Sequence, residues 1–178
     1  PSSDSRRSSG VATTAMKTAH SAGAPWGIAI AGGNAYVIVE GQLMWAALPE
    51  AGVEWKPDWQ VVTGLNDGLS QIGSYDGFLA VVDGQSKKMQ VVNAASHTLA
   101  QESDLPDVDD GVGPEYIRIA GSYIFLVLQD SDDTILRATF SSADGKIGSW
   151  SELNASLPSH TAVWGLFAVP DTGQLYVV

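Results

Sequence analysis

Apolar and polar residues alternate in short runs along most of the chain, and the runs recur at a nearly fixed distance. From Trp26 onward, an apolar run of strand length leads into a tight turn and then into a second apolar run. Short runs that alternate with a period of two are typical of β-strands, and such turns join antiparallel neighbours. Four pairs of this kind occur, at 28–38, 72–82, 117–127 and 166–178. The pattern predicts an all-β chain.

Each pair turns at a glycine, and these glycines define the repeat. Gly33, Gly77, Gly121 and Gly173 are separated by 44, 44 and 52 residues. Tight hairpins need a residue with positive φ, which glycine adopts at little cost. A period of about 20–50 residues indicates a repeat architecture. The four pairs are therefore expected to be the cores of four structural units.

Each complete unit continues into a third strand and a more polar fourth strand, the latter predicted at 59–62, 97–100 and 149–152. Four antiparallel strands in about 45 residues have the size of one β-propeller blade. Strands covered by neighbouring blades are continuously apolar, whereas the outermost strand borders solvent and is polar. We predict a β-propeller of four-stranded antiparallel blades, with about three and a half blades in this chain.

One part of the repeat resembles the kelch type of β-propeller blade. The order of a kelch repeat is found in Trp150, Leu157, Pro158, His160 and the run 173–177. The Gly-Gly doublet that this resemblance implies after the second strand is missing in every unit. The resemblance implies a propeller blade, and the missing doublet is a departure from the kelch pattern.

Two other segments, 25–30 and 114–119, are similar to blade openings of the NHL and lactonase types of propeller. Together these resemblances cover residues 25–178. They imply the fold but no particular function, because propellers serve as binding modules and as enzymes alike.

The first 24 residues differ in composition from the rest. Residues 1–10 are almost all small, polar or charged, and such a segment cannot bury enough apolar surface to offset its ordering entropy. We expect a flexible N-terminal arm or linker over 1–24. The blades are expected at about 25–68, 69–112, 113–160 and, in part, 161–178.

Three complete units and one partial unit leave the closure of the ring open, because propellers have at least about four blades. Residues 11–24 would supply outer strands to a fourth blade, or other chains or segments would complete a larger propeller. The stretch 11–24 is poor in strand-forming residues, which favours the second alternative. An open blade exposes strand edges and an apolar face, so we expect the chain alone to self-associate or aggregate.

The charge balance excludes several classes of partner. The chain has 20 acidic and 9 basic residues, a net charge of −11. Residues 26–178 hold six of the bases and nineteen of the acids, 6 − 19 = −13. This charge repels nucleic acid and anionic membranes.

The absence of cysteine excludes disulfides and thiol nucleophiles. We expect an extracellular or surface-exposed location, where the sequon at 154–156 would accept a glycan.

Asp107, Asp109 and Asp110, just before Gly111, form the candidate metal site. Hard oxygen ligands at nearly alternate positions before a glycine suit calcium. The spacing departs from that of a calcium loop, and Asp is also common in turns for local hydrogen-bonding reasons. Calcium is therefore the one candidate cofactor, and a solvated acidic loop is the alternative.

No arrangement of residues predicts a catalytic site. His20, His97 and His160 are far apart in the repeat and lack metal-ligand spacing. No nucleophile elbow or phosphate loop occurs. Beyond residue 26 the only arginines are Arg118 and Arg137, too few for the arginine cluster that binds a substrate carboxylate in sialidase-type propellers.

The best candidate binding site lies in one short segment that holds Trp55, Asp58, Trp59 and Gln60. Indole rings combine a large apolar face with a polar edge, which suits stacking on sugars, and the acid and amide would bond to sugar hydroxyls. The alternative is that both tryptophans pack between blades.

We expect a non-catalytic binding or assembly module that recognises a protein partner or a neutral glycan. The alternative is a propeller enzyme of the lactonase, oxidase or glycosidase kind that acts at the central channel. Such an enzyme needs convergent acids, histidines or metal ligands at the ends of the inner strands. Those ends carry mainly Gly, Ala and Val, which favours binding.

Overall fold

The computed structural model describes residues 25–84, 86–106, 113–129, 134–153, 166–169 and 174–177. These segments contain fourteen β-strands and no helix. None of them is therefore a helix with the length and apolar character needed to span a lipid bilayer. The arm predicted over residues 1–24 lies outside the described residues.

The strands form three four-stranded sheets and one two-stranded sheet. The first blade contains β1 (Pro25–Ala31), β2 (Asn34–Val39), β3 (Gln42–Ala47) and β4 (Gln60–Val61). The second contains β5 (Leu69–Tyr75), β6 (Phe78–Asp83), β7 (Lys88–Asn93) and β8 (Thr98–Asp104). The third contains β9 (Gly113–Ala120), β10 (Tyr123–Gln129), β11 (Ile135–Ser141) and β12 (Lys146–Glu152). The half-blade contains β13 (Leu166–Val169) and β14 (Gln174–Val177).

Within each sheet, strands that are consecutive in sequence pair in antiparallel fashion. The first strands of the sheets, β1, β5, β9 and β13, lie side by side in that order. Each sheet therefore begins at an inner strand and runs outward to an edge strand, which is the layout of blades around an axis.

Three of the turn glycines have the predicted backbone conformation. The φ angles of Gly33, Gly77 and Gly121 are 76°, 81° and 55°. Each joins the first and second strands of a blade. Positive φ is what such turns require, so the repeat derived from glycine spacing is confirmed at these positions. Gly173 lies outside the described residues.

Burial also follows the predicted order within a blade. Every residue of β6 is buried, whereas β8 and β12 are mostly exposed. The fourth strands differ from the sequence prediction in length: β8 and β12 have seven residues each, whereas β4 has only two. The third and fourth strands of the first blade are joined by a much longer connection, which is described below.

Each blade has two faces, and successive blades share a hydrophobic core. We call the face toward the next blade in sequence the forward face and the opposite one the rear face. On β6, Leu79 and Val81 belong to the core shared with the first blade, and Ala80 and Val82 to the core shared with the third. The alternation of a strand thus serves two neighbouring cores at once.

The inner strands approach each other closely through glycine. A Cβ atom on Gly27 of β1 would lie 2.7 Å from Cγ2 of Ile72 on β5. A Cβ atom on Gly73 of β5 would lie 3.1 Å from the carbonyl oxygen of Ile117 on β9. A glycine thus allows close approach at both junctions, to the Ile72 side chain at the first and to the backbone at Ile117 at the second.

Aromatic residues near the inner strands divide into two groups. Tyr116 packs against the core of the third blade. Phe167 is exposed, because it lies on the forward face of β13, which no further described blade covers. The side chains of Trp26 and Trp164 lie outside the described part.

Candidate functional site

The first blade differs from the others in the connection between its third and fourth strands. Residues 48–59 form this connection, whereas four residues make the corresponding turns at 94–97 and 142–145. The long connection folds over the rear face of the first blade. Trp55 packs against alanines of β2 and β3, and Trp59 packs against valines of β2.

Trp55 anchors this connection. Its side chain is only 8% exposed, and its indole Nε1–H donates a hydrogen bond to the carbonyl oxygen of Ala47 at 2.8 Å. Its ring meets that of Trp59 edge to face, with centroids 5.9 Å apart. Edge-to-face pairs of this kind add about 0.5–1.5 kcal/mol beyond the burial of their area. Trp55 therefore has the contacts of a packing residue and leaves little ring surface for a ligand.

The other members of the predicted site lie closer to solvent. Trp59 is half-buried, and its indole N–H has no hydrogen-bond partner within the described segments. Asp58 and Gln60 are exposed on either side of it. The structure thus brings the four predicted residues together, and glycan stacking on Trp59 stays a prediction.

A cleft of about 210 Å³ lies beside this segment, between β3 and the loop that leads into the second blade. Leu43, Val61, Val62 and Leu65 supply its apolar side chains. Its polar groups come from four residues: Gln42, Thr63, Asn66 and Asp67. We call it the blade 1 cleft. Nothing in the sequence marks this cleft, because a cleft depends on where the loop folds and has no residue signature of its own.

Three hydrogen bonds hold the loop that forms one wall of the blade 1 cleft. The Val62 amide donates to the Leu43 carbonyl oxygen at 2.8 Å, and the Leu69 amide donates to the carbonyl oxygen of Gly41 at 2.9 Å. Between these ends, the Asn66 amide donates to Oε1 of Gln90 at 3.0 Å. The loop is thus fixed to the first blade at both ends and to the second blade in the middle.

Gln90 is itself a buried polar residue whose amide oxygen and amide nitrogen each have a hydrogen-bond partner. It is 1% exposed, and its Nε2 donates to Oε2 of Glu102 at 2.9 Å. Lys88 donates to the other oxygen of Glu102, and this hydrogen bond is the main reason that the pKa of Glu102 lies below its usual value. A buried amide with satisfied hydrogen bonds stabilises one geometry, so the cleft wall is preorganised.

A second polar cluster links the first two blades. The Tyr36 hydroxyl donates to the Ala94 carbonyl oxygen at 2.9 Å and lies 2.9 Å from Nδ1 of His97. Burial raises the pKa of Tyr36 to about 12, so the phenol keeps its proton at neutral pH. Because that proton goes to Ala94, Nδ1 of His97 must be the donor to the phenol oxygen. The His97 ring also stacks on Trp45, with centroids 3.6 Å apart.

The sequence pattern predicts His97 at the start of an outer strand and indicates no role for it. The structure places it one residue before β8, with a φ of 55°. Asn93 begins the turn, and its Oδ1 accepts hydrogen bonds from the backbone amides of Ala95 and Ser96. The asparagine was a usable signal for the turn, but the contact with Tyr36 joins residues 61 positions apart and has no local signature.

The remaining candidates are a metal site and a catalytic site. The aspartates proposed for calcium, Asp107, Asp109 and Asp110, lie outside the described residues. Within the described ranges, no group of three histidine, aspartate or glutamate side chains is arranged to hold a metal ion. The described groups with shifted pKa values include the exposed pairs Lys88–Glu102 and Lys146–Asp144, which lie on outer strands and turns and not at the inner strands.

Comparison with solved structures identifies the fold. The chain is similar to a putative 6-phosphogluconolactonase from Bacteroides fragilis (TM-score 0.61, 12% identity, covering 86% of this chain and 47% of that one). It is similar to a chain of the Mitotic Checkpoint Complex (0.57, 15%, covering 87% and 47%). It is also similar to the WD40 domain of Toxoplasma gondii coronin (0.55, 12%, covering 86% and 39%). No protein-family model and no curated protein sequence matches it.

These similarities, with three four-stranded antiparallel sheets, establish a partial β-propeller. The chain spans less than half the length of each of the three similar chains. Their low sequence identity supports a shared fold alone, and the neighbours include a WD40 domain and a putative 6-phosphogluconolactonase. Function has to be argued from this chain's own residues.

Proposed function

We propose that this chain is a non-catalytic protein-binding module of the β-propeller type, and that the blade 1 cleft receives a side chain of the partner. The observation that carries the proposal is the combination of a preorganised wall with mixed lining. Protein interfaces likewise combine apolar and polar groups.

The size of the cleft favours a protein partner over a small molecule. Sites for small molecules and cofactors are commonly about 300–1,000 Å³. The blade 1 cleft, at about 210 Å³, is smaller and open to solvent. It suits one side chain that projects from a larger partner surface.

Charge indicates which side chain this is. Asp67 lines the cleft, and none of the other residues that line it is charged. The chain as a whole carries −11. Charge complementarity therefore favours a lysine or arginine of the partner, and attraction at a distance would speed the encounter.

A selection from a random peptide library displayed on phage tests this proposal. We expect the selected peptides to be enriched in Lys and Arg and to bind more weakly as salt is added. Thr63→Arg fills the cleft and adds a positive charge that repels the basic side chain of the partner. We therefore expect at least about a tenfold loss of affinity, or about 1.4 kcal/mol. Thr98→Arg is the matched control, because Thr98 is also an exposed threonine but lies on β8.

Two results would count against the proposal. If the selected peptides bound the Thr63→Arg variant with the same affinity as the parent, the site would lie elsewhere. Turnover of a lactone or glycoside by the purified chain would replace the binding module with the enzyme alternative.

Glycan binding is the second candidate, favoured by the half-buried ring of Trp59 between exposed Asp58 and Gln60. On a glycan array, Trp59→Ala should lose the signal if the ring stacks on a sugar. Trp55→Phe keeps an aromatic packing residue and should retain it. The calcium site at 107–110 stays a prediction, which calorimetric titration with calcium would test.

A further inference from the structure

The outer edge of the first blade differs from the outer edges of the second and third blades. β4 is the outermost strand of its sheet, and β3 is the one strand with which it pairs in the described part of the chain. This pairing is regular, and neither residue of β4 is charged. The free edge of a strand presents unpaired backbone groups to any second strand, and native proteins commonly protect such edges with bulges and charges.

The outer strands of the second and third blades have both kinds of protection. The pairing of β8 with β7 has a register shift, and β8 carries Glu102 and Asp104. The pairing of β12 with β11 also has a register shift, and β12 carries Lys146 and Glu152. A bulge bends the edge, and charged side chains beside it disfavour a second strand. Among these three outer edges, that of β4 is therefore the one suited to strand addition.

The hydrogen bonds of the first blade show which backbone groups point outward from this edge. The Val62 amide donates to the carbonyl oxygen of Leu43, so the backbone polar groups of Val62 face β3. An antiparallel strand directs the N–H and C=O groups of successive residues to opposite sides. Those of Val61 therefore point away from the sheet. Because Val61 is 45% exposed, a second strand can reach them.

The side chains along this edge indicate what the added strand would carry. Val61 is paired with Met44, and Met44 and Trp59 pack against the same valines of β2. Cross-strand partners lie on one face of a sheet, so Val61 and Trp59 share the rear face. Val61 also lines the blade 1 cleft, in which Asp67 is the one charged residue. A strand added to β4 would thus meet an apolar surface and the mouth of an acidic cleft.

We propose that the partner binds as an extended segment that adds a strand to β4 and places a Lys or Arg in the blade 1 cleft. This inference rests on the proposed function and deepens it, because it names the conformation of the partner. In strand addition, backbone hydrogen bonds supply affinity and alternate side chains supply specificity. Charge complementarity with Asp67 selects the basic residue. Side chains two positions apart share a face, so an apolar residue two positions from it should pack on Val61.

Methylation of the peptide backbone tests this proposal. The probe is the tightest peptide selected on the parent chain, synthesised with one N-methyl group at each position in turn. Each N-methyl group removes one N–H donor and leaves every side chain in place. Only alternate residues of an added strand donate to β4. We expect at least about a tenfold loss of affinity at one or two alternate positions, and little change at the residues between them.

Val61→Pro makes the same test from the side of the protein. Proline removes the outward N–H of Val61 but none of the hydrogen bonds between β4 and β3, and it is tolerated on edge strands. We expect peptide binding at least about tenfold weaker and an unchanged circular-dichroism spectrum. Val61→Thr is the matched control, because threonine keeps both the N–H and the β-branch. It should retain most of the affinity.

Hydrogen exchange resolved by amide gives a third measurement, which needs no variant. In the free chain the outward amide of Val61 should exchange faster than the amide of Val62, which is bonded to Leu43. Binding of the peptide should slow exchange at Val61. An amide of Val61 that exchanges equally fast with and without saturating peptide would overturn the added strand, even if Val61→Pro failed to fold.

The outcomes separate this proposal from the proposed function. If Thr63→Arg abolishes binding while N-methylation at every position and Val61→Pro leave it intact, the cleft receives a side chain and strand addition is wrong. If alternate N-methyl groups and Val61→Pro abolish binding while Thr63→Arg does not, strand addition stands and the role of the cleft is wrong. A selection that yields no binding peptide would overturn both.

Discussion

Gly145 shows how a turn residue of one blade is fixed by the packing of another. Its φ is 72°, and an added Cβ would lie 2.7 Å from Cε1 of Phe78, whose ring packs edge to face on Phe140. We expect Gly145→Ala to lower the free energy of unfolding by about 2–5 kcal/mol, from left-handed strain and overpacking together. Chemical denaturation measures the loss.

Gly52→Ala is the control for this prediction. Gly52 has a φ of 87° and open space around its Cα, so only the strain of about 1–2 kcal/mol should remain. Equal losses in the two variants would show that the contact with Phe78 contributes nothing.

His97 should make stability depend on pH. Burial lowers the pKa of its imidazole, so the unfolded chain binds the proton at a higher pH than the folded chain does. Stability is then complete above the unfolded pKa of about 6.5 and falls as pH drops through that value toward the folded pKa. His97→Asn removes the titration, and asparagine tolerates the positive φ.

Denaturation at about pH 7.5 and about pH 5.5 tests this prediction. The parent should lose more stability between the two values than His97→Asn does. The same loss in both proteins would assign the pH dependence to other groups.

At the residue scale, the sequence predicted backbone conformation more fully than it predicted contacts between side chains. Gly33 and Gly77 were identified from spacing, because positive φ is a property of one residue and its neighbours. The hydrogen bond between Tyr36 and His97 requires two blades to be in place. Nothing local distinguishes Tyr36 from any other strand tyrosine.

The connection over residues 48–59 is the element that sets the first blade apart. Trp55→Ala would leave a cavity beneath it and an unpaired carbonyl on Ala47. We expect the free energy of unfolding to fall by about 3–5 kcal/mol, as is usual for a buried tryptophan. Denaturant titration monitored by circular dichroism avoids the change in fluorescence.

Asp58→Ala is the comparison for this element. Asp58 is exposed on the same connection, so its replacement should change stability by less than about 0.5 kcal/mol. If Trp55→Ala cost as little, the tryptophan would not be an anchor, and its ring would be free to serve a ligand.

At the scale of elements, the alternation of apolar residues located the strands but not the residues at which each strand begins and ends. β6 was predictable because both of its faces are buried and its residues are all apolar up to Asp83. β4 was predicted at 59–62 and forms within those bounds, but it has only two residues, and its short length depends on how the preceding connection packs. The two tryptophans were visible as a pair, but a stacking platform and a packing anchor have the same composition.

For the whole molecule, repetition carried the prediction of the fold. Four copies of one pattern indicated blades, and the inner strands do lie side by side. The ends of the series were not predictable in the same way. Phe167 reads as a core residue in sequence, and only the absence of a further described blade on its forward face leaves it exposed.

Protection from hydrogen exchange should fall from the middle of the series toward its ends. The second blade has a core on each side, whereas the half-blade has two strands and one covered face. Local opening requires fewer contacts to be broken where burial is low. At protein concentrations too low for association, mass spectrometry should find the slowest exchange in β6 and the fastest in β4, β13 and β14. Uniform protection across the four sheets would instead mean that the chain opens only as a whole, with no independent contribution from its end blades.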